Sequence, residues 1–136
     1  MDERGRLSIL WVFVMFNMLA ADVISFLDGA VLAQLMTGYA GEVRITSTFQ
    51  LAAAIMIEIP IAMIVVSRFL SPRWLRIVTP VAALATAIFV IGGGSTSPHY
   101  IFFAAAEVGA LAVITWLALA RPRASAVATR VESVRA

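Results

Sequence analysis

The chain alternates between long apolar runs and short polar joints. Four runs stand out, at residues 7–27, 51–70, 74–93 and 100–120. The second, LAAAIMIEIPIAMIVVSRFL, is 20 residues of nearly unbroken apolar sequence. At about 1.5 Å of rise per residue it makes a helix about 30 Å long, the thickness of a bilayer's hydrocarbon core. One such run fits inside a soluble core, but four in 136 residues call for lipid as the solvent. In lipid every backbone donor is satisfied inside its own helix, which leaves no role for strands. The expected fold is all-α: a transmembrane up-down four-helix bundle, with residues 1–136 as a single integral membrane domain.

The joints carry turn chemistry. Asp28 to Thr48 is the first connection, punctuated by Gly29, Gly38 and Gly41, and Ala30 to Met36 within it suits a short interfacial helix. Ser71, Pro72 and Arg73 make a tight turn, and GGGSTSP, ending at Pro98, makes a flexible loop. Pro80 lies one to two turns inside the third run, so that helix either kinks or begins late. Arg121, Pro122 and Arg123 stop the fourth run, and Val127, Val131 and Val134 mark a weak amphipathic turn in the tail. Ala105 and Gly109 form a small-xxx-small pair, a spacing that lets two helices approach closely.

Composition sharpens the class. Hydrophobic residues make up 62%, charged residues 13%, and the mean hydropathy is +0.97; soluble domains sit at about 45–50% and about 25%. There is no cysteine, which excludes disulfides and thiolate sites, and His99 is the one histidine, which excludes a multi-histidine metal centre. The net charge of +2 does not point to nucleic acid, because the arginines are scattered at helix ends rather than gathered on one face.

The arginines do set an orientation. An even number of spans puts both termini on one side, with Arg4, Arg6, Arg68, Arg73, Arg76, Arg121, Arg123, Arg130 and Arg135; the other side has Arg44. That asymmetry predicts both termini in the cytoplasm. Trp11, Trp74 and Trp116 fall near the cytoplasmic span ends, and Tyr39 and Tyr100 near the outer ends, as aromatic belts do. A signal peptide is the competing reading of the first run, but that run exceeds an h-region and no A-x-A-like site follows.

Four polar side chains fall at depth: Asn17, Asp22, Glu58 and Glu107. Counted from the cytoplasmic ends they lie about 15, 22, 18 and 20 Å up, so three helices place a carboxylate in one slab. Asn17, Asp22, Ser25 and Asp28 share an arc of about 140° on the first helix, expected to face the bundle interior. Tyr100 and Glu107 are seven apart and share a face, which sets the tyrosine hydroxyl above the carboxylate. A charge at the bilayer centre costs about 2.5–3.5 kcal/mol even on the lenient insertion scale. The acids must therefore be protonated, hydrogen-bonded to each other or to Asn17, hydrated, or paired from outside with Arg44, His99, a cation or a ligand amine. Pro60 leaves the Met56 carbonyl free beside Glu58, a modest polar niche. The alternative to a functional cluster is a hydrogen-bonded lock that fixes helix register.

Other chemistry is thin. The glycine-rich loop lacks the P-loop lysine and spacing and reads as a hinge. No G-x-S-x-G motif occurs, and one histidine must serve any triad alone, so an enzyme is not favoured and no catalytic residue is assigned.

Three stretches, LMTGYAGEVRIT, EIPIAMIVVSRFL and IGGGSTSPHYIFFAAAEV, resemble a family of small bacterial four-span membrane proteins, a domain of unknown function. The resemblance covers most of the chain and implies four spans in a bacterial inner membrane, with no activity attached. A second likeness is to the DoxX-like four-helix membrane proteins. There an acid opens an apolar span that ends in arginine, here Glu58 to Arg68. It implies a quinone-linked redox association; Ile59 and Pro60 stand where that pattern usually has a glycine pair.

The functional expectation is a polar pocket centred on Glu58, with Asp22, Glu107 and Asn17 around it and Tyr100 and His99 at the outer mouth. It would bind a proton, a cation or a small amphipathic ligand such as a quinone or lipid headgroup. No cofactor and no metal is named by these residues. The expected partners are the lipid bilayer and a second copy or a larger membrane complex; a structural or accessory subunit and a redox protein are the alternatives.

Overall fold

The structure is a computed structural model, and it describes residues 2–120. The valines and arginines of the tail lie outside the described residues. Four long helices form: α1 (Glu3–Phe26), α3 (Ser47–Phe69), α4 (Pro72–Gly92) and α5 (Pro98–Leu119), each long and apolar enough to cross a membrane. The short helix α2 (Gly29–Met36) lies in the connection between α1 and α3, where Ala30 to Met36 is expected to be helical.

The helices start a few residues before the apolar runs, two behind side-chain caps and two behind a proline in the first turn. Asp2 accepts a hydrogen bond from the Gly5 amide at the head of α1 (3.0 Å), and Thr46 accepts one from Phe49 at the head of α3 (3.1 Å). Pro72 and Pro98 open α4 and α5 behind Ser71 and Ser97, at the position where a missing N–H is harmless. Pro80 thus neither delays nor ends α4. One strand pair does occur, outside the spans: β1 (Tyr39–Ala40) pairs antiparallel with β2 (Val43–Arg44). Its turn needs Gly41, at φ +61°, and Gly38, at φ +83°, ends α2.

The long helices close a ring. α1 packs against α3 and α5, and α4 packs against the same two, so α1 and α4 sit diagonally opposite. α1 turns Leu7, Trp11, Val14, Met18 and Ala21 inward at three- and four-residue spacing. The first four meet Met63 of α3, Leu75 and Ala82 of α4, and Leu111 and Ile114 of α5 in one cluster. Trp11 is therefore a core residue, fully buried, and not part of an aromatic belt. Trp74 and Trp116 are exposed, as a belt requires. The Ser8 hydroxyl ties α1 to α3 by donating to the Ile64 carbonyl at 2.8 Å.

Ala105 and Gly109 face outward rather than into a helix contact. A Cβ built on Gly109 meets nothing within 4 Å. Gly109→Ala is therefore expected to stabilise the bundle by about 0.5–1 kcal/mol through helix propensity alone. Thermal melting in detergent reads this out; a loss of stability would mean the glycine is packed.

Candidate functional site

Toward the ends of α1, α4 and α5 remote from Asp2 and Ala120, the bundle holds a partly open cavity of about 120 Å³. Asp22 of α1 and Tyr100 and Glu107 of α5 supply its polar lining; Met18, Phe89 and Val90 supply part of its apolar wall. The rotation of each helix follows from its packing. Glu107 precedes Ala110, Leu111 and Ile114 by three, four and seven residues, so the face that buries them buries the acid too. At 2% exposure Glu107 is the one buried charged residue among the described residues. No hydrogen bond or ion pair reaches its carboxylate from the described residues. Asp22 sits at the rim, more exposed, four residues beyond Met18 on the same side of α1.

The end of the cavity nearer Pro98 is tied by the first turn of α5. The Tyr100 hydroxyl donates to the Val90 carbonyl of α4 at 2.8 Å. Gly94 makes room for this ring: a Cβ there would lie 3.0 Å from Tyr100 Cε1. Beside it His99 Nε2 lies 3.1 Å from Ser25 Oγ on α1. The Ser25 hydroxyl already donates to the Ala21 carbonyl at 2.8 Å, so Ser25 accepts from His99, which selects the Nε2–H tautomer.

The expected site residues thus divide. Asp22, Glu107 and Tyr100 come together around one cavity, and His99 is bonded at its mouth. Asn17 does not line it; its Nδ2 donates to the Phe13 carbonyl of the same helix at 2.8 Å. Asp28, on the same expected arc, is used as the N-cap of α2 and accepts from the Ala30 amide at 2.9 Å. Glu58, expected at the centre, is exposed on the outward face of α3. The reason is helical rotation. α3 buries Pro60, Met63 and Ser67, which lie about 200°, 140° and 180° around the helix from Glu58. Arg44 is exposed on β2 and makes no ion pair with these acids among the described residues. What the sequence does not reveal is the α4 wall: it contributes a backbone carbonyl, Val90, which leaves no mark in residue type.

Chemically, the site offers two carboxylates and a tyrosine whose proton is already engaged. It is rich in acceptors and poor in free donors. Among the described residues no three metal-ligating side chains of the His, Cys, Asp and Glu types come together.

No curated protein and no solved structure matches the chain. A family model described as a family of unknown function, DUF6326, matches residues 2–128. This chain has four helices long and apolar enough to cross a membrane, and the family match covers nearly all of it: the protein is a multi-pass membrane protein that belongs to this family of unknown function.

Proposed function

We propose that the protein is an inner-membrane binding protein whose cavity takes a proton or a small cation between Glu107 and Asp22. One observation carries the reading: a carboxylate buried midway along a membrane helix, with no partner among the described residues, opens onto a cavity that a second carboxylate shares. An isolated charge in that setting costs several kcal/mol, and such residues are kept for function or are neutralised by what they bind. The acceptor-rich lining favours a ligand that donates or is positive over a quinone, whose carbonyls need donors. The volume, about 120 Å³, admits a small ion with water, since a liquid water occupies about 30 Å³. The arginine asymmetry supports cytoplasmic termini and a cavity nearer the outer leaflet.

The test is melting of the purified protein in mild detergent, against pH and against sodium, potassium and methylammonium chlorides. Tetraethylammonium chloride at matched ionic strength is the control, being too bulky for the cavity. Melting is expected to respond to pH or to a small cation. A ligand at 100 times its Kd adds about 2.7 kcal/mol. Glu107→Gln is expected to remove that response while the protein stays folded. Identical responses in Glu107→Gln and the unaltered protein would overturn the reading.

A further inference from the structure

We propose that α3 of one chain packs against α3 of a second copy through the face that carries Glu58, with the two carboxyl groups meeting at the two-fold axis. Glu58 lies 11 residues from each end of α3, about 16 Å, which puts it at mid-bilayer. It is exposed, and no hydrogen bond or ion pair reaches it from the described residues. Arg68, the basic residue on the same helix, is ten residues away, about 15 Å. A carboxyl group cannot face acyl tails at that depth without a large penalty, so something covers it.

The chemistry selects the occupant. Around a two-fold axis an isologous interface sets the same residue against itself. A carboxyl in its acid form carries one donor and free acceptor positions, so it complements its own copy. No second sequence with a basic group at the bilayer centre is needed. The flanks suit a helix contact. Leu51, Ala54, Ile55, Ile61 and Val65 lie seven, four, three, three and seven residues from Glu58 and share its face, and all are exposed. α3 is also the long helix least covered by its own chain: among the described residues it buries nothing before Pro60. Beside this face an apolar groove of about 490 Å³ runs between α3 and α4, lined by Ile59, Ala62 and Val66 on one side and Val78 and Val81 on the other. It gives a neighbouring helix's aliphatic side chains a place to pack.

The absence of native cysteine makes the test direct. Ala54→Cys and Ile61→Cys bracket Glu58 by one turn. Phe16→Cys, on an exposed position of α1, is the control. Each is oxidised with copper phenanthroline in native membranes and run without reductant. The expected product is a species of twice the 14.6 kDa chain mass from the two α3 variants, in about tenfold excess over Phe16→Cys. Interhelical hydrogen bonds in membranes are worth enough to shift association by about tenfold. Adding Glu58→Leu to Ala54→Cys is therefore expected to lower the dimer by that factor. Glu58→Gln is expected to keep it, because an amide also donates and accepts. Equal cross-linking from Phe16→Cys, no effect of Glu58→Leu, monomer alone, or a product of a different mass would each overturn the proposal. Glu107→Gln leaves cross-linking unchanged, so failure here and failure of the cation reading are separable.

Discussion

Trp11→Ala is expected to destabilise the bundle more than any other single tryptophan replacement, in the lower part of about 3–5 kcal/mol. The indole is fully buried and belongs to the cluster that joins Met63, Leu75 and Ile114 from the other three long helices. In lipid the transfer of apolar surface between helices contributes little, so the loss is one of dispersion contacts and of an unfilled void. Trp74 and Trp116 are 58% and 66% exposed, and their replacement by alanine is expected to change stability by no more than about 0.5 kcal/mol. Trp11→Phe separates shape from polarity. The Trp11 Nε1–H is buried with no hydrogen-bond partner among the described residues, so phenylalanine removes an orphaned donor and leaves a smaller void. It is expected to be nearly neutral. Melting of the four variants in one detergent measures all of this, and three equal tryptophans would contradict the packing described.

Ala104→Leu is expected to abolish the response to small cations altogether while preserving or raising stability. Ala104 lines the cavity wall and packs against the buried cluster. Leucine at that position projects into a space of about 120 Å³ and occupies much of it. Filling a pre-existing void avoids the overpacking penalty of about 1–3 kcal/mol that extra methylenes cause in a tight core. The substitution keeps both carboxylates, so it discriminates binding in this space from any other effect of the acids. A variant that melts higher yet still responds to methylammonium would place the response elsewhere.

The spans were legible because lipid makes a severe demand, and four runs of sufficient length answer it. Helix starts are less so, since caps at Asp2 and Thr46 and prolines in the first turn at Pro72 and Pro98 begin the helices ahead of their apolar runs. The strand pair at Tyr39–Ala40 and Val43–Arg44 leaves little mark in the sequence, being short and outside the spans where the no-strand argument applies. The pairing of Tyr100 with Glu107 on one face could be read from their spacing, and Asp22 from its depth. The rotation of α3 could not. A membrane helix is apolar toward both its neighbours and the lipid, so periodicity does not separate inward from outward. Depth alone therefore places Glu58 in the interior, whereas Pro60, Met63 and Ser67 decide that it points out. Trp11 misleads for the same reason: an indole near a span end suits a headgroup belt or a core equally.

The first turn of α5 holds neighbouring residues, His99 and Tyr100, each bonded to a different helix, with three glycines just upstream. On the cation reading, an ion that leaves past this turn would break both bonds while the glycine segment bends to let the turn lift. Residence time would then follow the frequency of that unlatching rather than the depth of the binding well. Two variants with the same affinity, one lacking the tyrosine hydroxyl, would differ in how long they hold an ion.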